Sequence, residues 1–418
     1  MSGNKCGWDN YRFFRRLQMI SVGIDVSKEK STICILKPYG EIVSKPFEVC
    51  HTEKELSELT SMLLRLNDDV RVVMEATGIY HLPVLCYLQE KGLFVAVVNP
   101  FEMKEYRCQG LRRVKTDKQD AVTISNYGID HWYRLKEYEP EESIYAELKL
   151  LGRQYRHYMR MRVESVLELT HLLDYTMPGI KTLLKGWNET NGKDKLGDFV
   201  EEYWHYDNIT KKSEEQFIES YLKWAKEKGY HQSQDKAAKI YMLAKEGIPT
   251  VSSDTSSTKM LVQEAVRVLR EIDNTLMTIL TQMQALAKSL PEYPVVRAMG
   301  GVGNVLAPKL IAEIGDVRRF HSGKALIAHA GIDAPPYQSG QFTGTERKIS
   351  KRGSSSLRKI GYEVMRCLKT HKEPEDAAVY RFILKKEKEG KSKRAAKIAG
   401  LNKFLRIYYA RVMEVYQK

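Results

Sequence analysis

The order of strand patterns near the start of the chain restricts its fold more than any other feature. Residues 21–36 are predicted to form two strands rich in β-branched residues, separated by a polar turn at residues 28–30. Residues 41–49 are predicted to form a third strand, which completes an antiparallel meander. Thr52 precedes a helical stretch, and Glu55 stands three residues later, as in a capping box. We therefore expect a sheet that begins with a meander and continues through a helix.

Two short apolar runs follow, at residues 70–74 and 94–98, and they are typical of strands buried in a parallel sheet. Residues 82–91 between them have helical spacing, which stops at Gly92. Three strands followed by alternating helices and strands is the order of a ribonuclease-H-like α/β domain. We predict such a domain over residues 20–135.

Helical patterns fill residues 140–290. Apolar residues recur at three-to-four spacing in two seams, and each seam is broken by one charged residue, Arg162 in the first and Asp273 in the second. The seams predict an antiparallel helical hairpin or a coiled coil, which leaves open whether the helices pack on each other or form a dimer interface. The seam residues are Ile144, Leu148, Leu151, Tyr155, Tyr158, Val166, Leu169 and Leu173, then Val262, Val266, Leu269, Leu276, Ile279, Met283 and Leu290.

The polar segment 181–259 between the two seams is interpreted as an insertion. It contains short amphipathic helices, such as residues 214–228, and it ends in a segment, 251–258 (VSSDTSST), that we expect to be a flexible link.

The charge of the chain is concentrated in its last fifth. Lys and Arg number 67 against 53 Asp and Glu, a net charge of +14. Residues 341–418 alone hold 21 basic and 8 acidic residues, or +13. Such a basic region favours a polyanionic partner, and nucleic acid before a membrane surface.

Several protein classes are disfavoured by the sequence. No apolar run approaches the 18 or more residues of a membrane helix, and the first residues lack the apolar stretch of a signal peptide. The six cysteines lie far apart without a CxxC pair, so zinc sites and disulfides are poorly supported. We expect an intracellular protein.

Four carboxylates stand where strand ends and one helix could bring them together. Asp25 lies within a strand (VGIDVS), Glu75 ends the VRVVM strand, and Asp117 and Asp120 are three residues apart in KTDKQDA. A buried carboxylate is unfavourable unless it is paired or metal-bound, and oxygen ligands of this kind suit two Mg²⁺ ions for phosphoryl transfer. Alternatively, Asp25 caps a turn, and Asp117 is a helix N-cap with Asp120 in the first turn. The fold of sugar kinases and actin-like ATPases also begins with an acidic strand and turn. That fold needs further Gly-rich phosphate loops at later strand–turn junctions, and this sequence contains no convincing one.

The third region, residues 291–418, begins with a Gly-rich turn, GGVG at residues 300–303, between two helical patterns. It looks like a helix–hairpin–helix, in which Gly301 and Gly303 would let backbone N–H groups approach a DNA phosphate. An ordinary interhelical turn is the alternative.

Ser339 lies in a loop rich in Pro, Gly and Thr, residues 333–346, just before a basic stretch. Arg347, Lys348, Lys351 and Arg352 in that stretch could hold a phosphate. Serine is a covalent nucleophile only when it is activated, and the local sequence alone favours a solvated loop serine. Farther along, Lys385, Lys386 and Lys388 form a basic cluster that we expect to contact nucleic acid, with a solvated face as the alternative.

With GIDVSK, MEATGIY, KTDKQDA, GGVG with AEIGDVRRF, and QSG before ISKRG in this order, the chain resembles the DEDD-type transposases of the insertion-sequence one-ten family. The likeness covers about residues 20–180 and 258–418. It implies a RuvC-like first domain in which Asp25, Glu75, Asp117 and Asp120 hold Mg²⁺ or Mn²⁺, and it implies that Ser339 is the nucleophile. The insertion, 181–259, departs from the family pattern, and so do the roughly 20 residues before the first strand.

The resemblance further implies a DNA recombinase of the prokaryotic cytoplasm that acts on the nucleoid. The acids and Ser339 would form a composite site and cut DNA through a phosphoserine link. Dimers would pair into tetramers, and a bridge RNA would pair with donor and target DNA. Two alternatives are a metal-dependent Holliday-junction nuclease that uses water as nucleophile, and an RNA chaperone with a decayed active site.

Overall fold

The computed structural model of the chain describes residues 19–66, 68–76, 78–108, 116–140, 142–184, 186–334, 338–339, 342–343, 348–370 and 377–417. The chain divides into two compact units, Met1–Pro140 and Glu141–Lys418. Within the described ranges, no helix is long and apolar enough to cross a membrane.

The first unit is built on a five-stranded mixed sheet. Its strands are β1 (Met19–Val26), β2 (Lys30–Leu36), β3 (Ile42–Cys50), β4 (Asp69–Glu75) and β5 (Phe94–Val98). They lie in the order β3-β2-β1-β4-β5, with β1, β2 and β3 antiparallel and β4 and β5 parallel to β1. The predicted meander and the two parallel strands are therefore confirmed as a mixed α/β sheet.

Four helices accompany the sheet: α1 (Glu53–Leu64), α2 (His81–Glu90), α3 (Pro100–Arg107) and α4 (Asp117–Asp130). The capping box predicted for α1 is half formed. The Thr52 hydroxyl accepts from the Glu55 N–H at 3.4 Å, but the Glu55 carboxylate accepts from the Cys50 N–H at 2.6 Å, two residues before the Thr52 N–H that a capping box would use. Glu55 thus ties the helix start to the end of β3.

Helix α4 crosses β1 at backbone contact. A Cβ added to Gly23 would lie 2.3 Å from the Ser125 nitrogen and 2.4 Å from the Ala121 oxygen, and one added to Gly128 would lie 2.2 Å from the Ser21 hydroxyl. The Ser125 hydroxyl donates to the Ser21 carbonyl at 2.7 Å. Because Ala121 lies beside Gly23 and Gly128 beside Ser21, the helix runs antiparallel to β1. Its first turn therefore lies at the carboxyl end of that strand.

The second unit is mostly helical, as predicted, and it contains both regions that we predict as 140–290 and 291–418. Its elements are α5 (Ser143–Thr176), α6 (Lys195–Glu202), α7 (Asp207–Thr210), α8 (Glu214–Glu227), α9 (Gln234–Glu246), α10 (Ser256–Lys288), α11 (Tyr293–Arg297), α12 (Leu306–Ile314), α13 (Gly323–Ala330), β6 (Gln338–Ser339), β7 (Phe342–Thr343), α14 (Ser355–Thr370), α15 (Ala378–Lys388) and α16 (Lys393–Gln417).

The two predicted seams pack on each other as an antiparallel pair, α5 with α10. The early residues of α5, such as Leu148, share a core with late residues of α10, such as Met283, and with α12, α14 and α16. The late residues of α5, such as Leu173, share a second core with Val262 and the helices of the insertion. Packing within one chain is therefore enough to bury the seams, and a coiled-coil dimer interface stays a prediction.

The insertion forms a helical layer on the far end of this pair. Helix α8 matches the amphipathic stretch that we predict at residues 214–228. The segment 251–258, predicted as a flexible link, is partly helical, because α10 already begins at Ser256. A ring nitrogen of His205 also lies 2.9 Å from the Val251 carbonyl, which ties the start of this segment to the layer.

Candidate active site and nucleic-acid interface

Asp25 and Glu75 lie on neighbouring strands at the same edge of the sheet. In the parallel pairing of β1 with β4, Ile24 stands opposite Met74, so the next residue of each strand is one of these acids. The carboxyl ends of parallel strands are where open α/β sheets place their sites. Both side chains are partly buried.

Asp117 and Asp120 occupy the first turn of α4. Thr116 is the N-cap of this helix, and its hydroxyl accepts from the Gln119 N–H at 3.2 Å, so the alternative of Asp117 as N-cap is wrong. The first turn lies at the carboxyl end of β1, as the crossing of α4 requires. Asp120 is partly buried there, and Asp117 is exposed.

Arg107, the last residue of α3, lies among these acids and was missed by sequence reasoning. Its Nη2 donates to Glu75 Oε2 at 2.8 Å, and its Nε lies 3.3 Å from Asp120 Oδ1. No motif marks this arginine in the sequence, because its role depends only on where α3 ends. Two of the four acids, Glu75 and Asp120, are thus bridged by a cation that the chain itself supplies.

The acids act on one another electrostatically. Burial raises the pKa of Asp25 to about 6, and the charges of Asp120, Asp117 and Glu75 contribute to that rise, while Arg107 lowers the pKa. All four predicted acids therefore contribute to one region of negative potential. A site of this charge is stabilised by a bound cation.

The donor set fits a divalent metal ion in its chemistry. All four side chains offer oxygen ligands, which Mg²⁺ prefers. Across the described ranges, however, no three acidic, His or Cys side chains converge as a formed metal-binding group. The Arg107 guanidinium lies between Glu75 and Asp120, so a metal ion bound by both of these carboxylates would have to displace it.

Ser339 lies in a small hairpin. Strands β6 and β7 pair Gln338 with Thr343 and Ser339 with Phe342, so two residues connect them. The sequence predicts a loop over residues 333–346, and the structure instead pairs two short strands within it. Ser322, the other serine before a glycine in this region, caps α13 by accepting from the Ala325 N–H at 3.3 Å.

The segment that carries the hairpin is closed at its base. The Ser350 N–H donates to the Asp333 carbonyl at 2.8 Å, and the Lys351 N–H donates to the Gly331 carbonyl at 3.0 Å. The predicted phosphate ligands Lys348, Lys351 and Arg352 are exposed at this base, and Arg347 lies outside the described residues.

A basic cavity of about 740 Å³ adjoins this base, and sequence reasoning missed it. Ala334 and Ile349, from the two ends of the hairpin segment, form part of its wall. Helix α16 begins beside it, with the Ser392 hydroxyl accepting from the Ala395 N–H at 3.2 Å. One sequence signal could have revealed it. Arg394, Asn402 and Arg406 are spaced by multiples of four, which places polar side chains on one face of a helix. The cations on the wall are Lys391, Arg394, Lys403 and Arg406.

The predicted cluster of Lys385, Lys386 and Lys388 lies at the end of α15 and is partly neutralised. Lys386 Nζ lies 2.6 Å from Glu389 Oε2, whereas Lys385 Nζ lies 4.0 Å from the same carboxylate. Lys385 and Lys388 are exposed, so they are the members best placed to meet a polyanion.

The GGVG turn joins α11 to α12, but α11 has only five residues, and a helix–hairpin–helix remains a prediction. Gly301 has a φ of 81°, and a Cβ there would lie 2.6 Å from the Val364 carbonyl of α14. Close packing thus explains this glycine without a ligand. Among the described residues, nothing lies within 4 Å of a Cβ built on Gly303.

Two family models match the chain. Residues 22–178 match the model for the DEDD domain of IS110 transposases, and residues 293–381 match the model described as the transposase IS116/IS110/IS902 family. The chain belongs to this family of transposases. In this transposase the first match contains all four acids and the second contains Ser339. The whole insertion, residues 181–259, lies outside both.

The chain is also similar to individual proteins. The pilin gene-inverting proteins of Moraxella bovis and Moraxella lacunata are each 20% identical over 395 residues, which cover 93% of this chain and 94% of each relative. The RuvC structure of Thermus thermophilus is 14% identical, with a TM-score of 0.24, and covers 29% of this chain and all of RuvC. RuvC in complex with a Holliday junction substrate is 13% identical, with a TM-score of 0.23, and covers 29% of this chain and 99% of that structure.

Proposed function

We propose that this transposase cleaves and rejoins DNA strands through a phosphoserine link at Ser339. Asp25, Glu75, Asp117 and Asp120 of its RuvC-like domain would hold Mg²⁺ or Mn²⁺. The observation that carries the proposal is the gathering of all four acids at one sheet edge, in a chain of a transposase family.

In the proposed reaction the Ser339 oxygen attacks a DNA phosphorus. The hydroxyl proton leaves to water, the O–P bond forms, one P–O bond of the strand breaks, and the released strand oxygen takes up a proton. Rejoining reverses these steps with the hydroxyl of a new strand, so no external energy source is required. When bound, Mg²⁺ stabilises the charge that develops on the phosphoryl oxygens.

The basic cavity beside the hairpin supports a role in holding the scissile strand. Its four cations can each contact a phosphate, and the start of α16 adds the positive end of a helix dipole. We propose that this cavity binds the DNA backbone next to the phosphodiester bond that Ser339 attacks. Lys348, Lys351 and Arg352 extend the same basic surface.

The relatives named for gene inversion support recombination over simple hydrolysis. Inversion of a DNA segment requires strands to be rejoined, and a covalent enzyme link preserves the bond needed to do so. Family membership further supports a bridge RNA that selects donor and target DNA, and assembly of dimers into tetramers in the cytoplasm.

The test is trapping of the covalent adduct on labelled DNA in a denaturing gel. Ser339→Ala should lose both the adduct and recombination and should keep DNA binding. Ser322→Ala is the matched control and should keep the adduct, because that serine only caps a helix. Cleavage by Ser339→Ala without any adduct would instead indicate a junction nuclease that uses water, and an adduct in that variant would place the nucleophile elsewhere.

A further inference from the structure

The insertion contains a cavity of about 820 Å³ that the family models do not cover. One wall is the segment that leads into α6, with Trp187 and Lys193, together with Lys195 at the start of that helix. The other wall combines the turn between α8 and α9, with Tyr230, and the first turn of α9, with Lys236. We call it the insertion cavity. Its volume lies in the range of ordinary ligand sites.

Within the described part of the chain, the cations of the insertion cavity have no acidic partner. Among these residues, no ion pair involves Lys193, Lys195 or Lys236. The acid that lines the cavity, Glu189, is already bound by Lys309 and by the Tyr155 hydroxyl.

The neighbouring acids are also occupied. Asp194 accepts the Leu196 and Gly197 N–H groups, each at 3.1 Å. Asp198 accepts from the Tyr230 hydroxyl at 2.6 Å and pairs with Arg270 at 2.8 Å. The Lys193 ammonium donates to the Lys228 and Gly229 carbonyls at 2.9 and 3.1 Å. Among the described residues, Lys195 and Lys236 are therefore the cavity cations that a bound anion would neutralise.

Lys195 is held in place by aromatic rings. Its Nζ lies 5.2 Å from the ring centroid of Tyr221, 5.9 Å from that of Trp224 and 5.2 Å from that of Tyr230. Burial and the charge of Lys236 lower the pKa of Lys195, so the two ammonium groups repel each other across the cavity. Such a pair is unfavourable in the free protein and favourable around a phosphate.

Aromatic side chains at the cavity wall and next to Lys195 carry unsatisfied donors. The Nε1 of Trp187, the Nε1 of Trp224 and the hydroxyl of Tyr221 are buried and have no hydrogen-bond partner within the described part of the chain. Tyr230 stacks on Trp224, with ring centroids 5.6 Å apart, and remains half-buried at the cavity. Buried unpaired donors are rare, and they mark this as a place not optimised for packing alone.

We propose that the insertion cavity binds an unpaired nucleotide of single-stranded nucleic acid, with its phosphate between Lys195 and Lys236 and its base against Tyr230. Sites for single strands combine cations with aromatic rings in this way. An acidic peptide would pair with the lysines but would make no use of the part of the Tyr230 ring that remains accessible at the cavity. This inference does not depend on the chemistry proposed for Ser339.

The test uses the full-length protein and short fluorescein-labelled single strands of RNA and of DNA with the same sequence. The double variant Lys195→Gln, Lys236→Gln should bind about tenfold more weakly and should lower the slope of log K against log salt by about 0.7 for each phosphate that is no longer neutralised. The matched control is Lys223→Gln, Lys239→Gln, two lysines of α8 and α9 outside the cavity. It should change affinity much less. Equal reductions in both double variants would overturn the proposal, since they would reflect overall charge alone.

Tyr230 supplies a second readout that does not depend on charge. A photoreactive 5-iodouridine in the labelled strand should crosslink to Tyr230 in the wild-type protein. Tyr230→Phe keeps the ring and should retain affinity, whereas Tyr230→Leu should weaken binding about tenfold. Tighter binding of the RNA strand assigns the site to RNA, and tighter binding of the DNA strand assigns it to an unpaired DNA segment. Binding of a labelled polyglutamate peptide at this site without either strand would refute the proposal.

Discussion

Arg162 and Asp273 meet across the antiparallel pair of α5 and α10, with Arg162 Nε 2.5 Å from Asp273 Oδ1. They are the two charged residues that interrupt the apolar seams. Because they pair with each other, each buried charge is neutralised by the other. Both side chains are largely buried, and the Arg162 guanidinium also lies 4.8 Å from the centroid of the Trp187 ring. The ion pair joins the two long helices, and the contacts of Arg162 with Trp187 and Asp194 link it to the insertion.

Removing one partner of this pair should therefore be harmful. Asp273→Asn leaves a buried guanidinium without its main counter-charge, and we expect a decrease of about 3–5 kcal/mol in the free energy of unfolding. The double variant Arg162→Met, Asp273→Leu should recover much of that decrease, because it leaves neither charge buried and unpaired. Urea unfolding of the three proteins checks this, and equal stability of single and double variants would contradict it.

Arg107 should compete with a metal ion for the acidic cluster. In the presence of EDTA, Arg107→Ala is expected to lose about 2 kcal/mol of stability, since the acids then repel each other without a cation and are only partly buried. Mg²⁺ should bind this variant more tightly and restore its melting temperature. Arg65→Ala, at a helix end away from the acids, is the control and should show neither effect. If calorimetry gave the same Mg²⁺ affinity for Arg107→Ala and the wild-type protein, Arg107 would not compete with a metal ion for these acids.

Asp25 gives the metal-free protein a defined pH dependence. Its folded pKa of about 6 lies above the usual value of 3.8, so the folded state binds a proton more tightly than the unfolded state. Stability should therefore rise as the pH falls from above 6 towards 4. Asp25→Asn removes the unfavourable charge and should raise the melting temperature at about pH 8 in EDTA, with the gain vanishing near pH 4. A destabilised variant at the higher pH would contradict the electrostatic reasoning.

Asp117 is exposed, so its substitution should affect chemistry without affecting the fold. Asp117→Asn is expected to abolish strand cleavage in Mg²⁺ and to leave RNA binding and melting temperature nearly unchanged. Glu53→Gln makes the same change of charge in the exposed first turn of α1 and should cleave normally. Normal cleavage by Asp117→Asn would remove this residue from the proposed metal site.

The basic cluster of α15 should contribute unequally to nucleic-acid affinity. Replacing Lys385 and Lys388 with Gln should reduce the slope of log K against log salt by about 0.7–0.9 for each phosphate that these lysines neutralise in the wild-type complex. Lys386→Gln should change it little, because Glu389 already holds that ammonium group. Equal slopes for all of these variants would identify the cluster as a solvated face.

The sheet could be predicted because its signals are local. The strand of residues 94–98 was predicted with the observed bounds, since β-branched runs between turns depend on neighbours in sequence. The mutual arrangement of Asp25, Glu75, Asp117 and Asp120 at one sheet edge followed from the same pattern. Their assignment as metal ligands stays a prediction.

What the sequence did not reveal depends on contacts between distant segments. Arg162 and Asp273 were both recognised as interruptions, yet nothing in either seam states that they pair. Arg107 is part of no motif, and the basic cavity beside Ser339 combines α15, α16 and both ends of the hairpin segment. Such arrangements arise only when the chain has folded.

The close crossing of α4 over β1 also bears on how members of this family are recognised from sequence. Gly23 and Gly128 set the height of the helix above the strand, and any side chain at Gly23 would collide with the helix backbone. A sequence could keep every acid of the quartet and still lose the arrangement through one substitution two residues before Asp25. The four carboxylates alone are therefore an incomplete sequence signature of the proposed site, and the glycine beside them belongs in it.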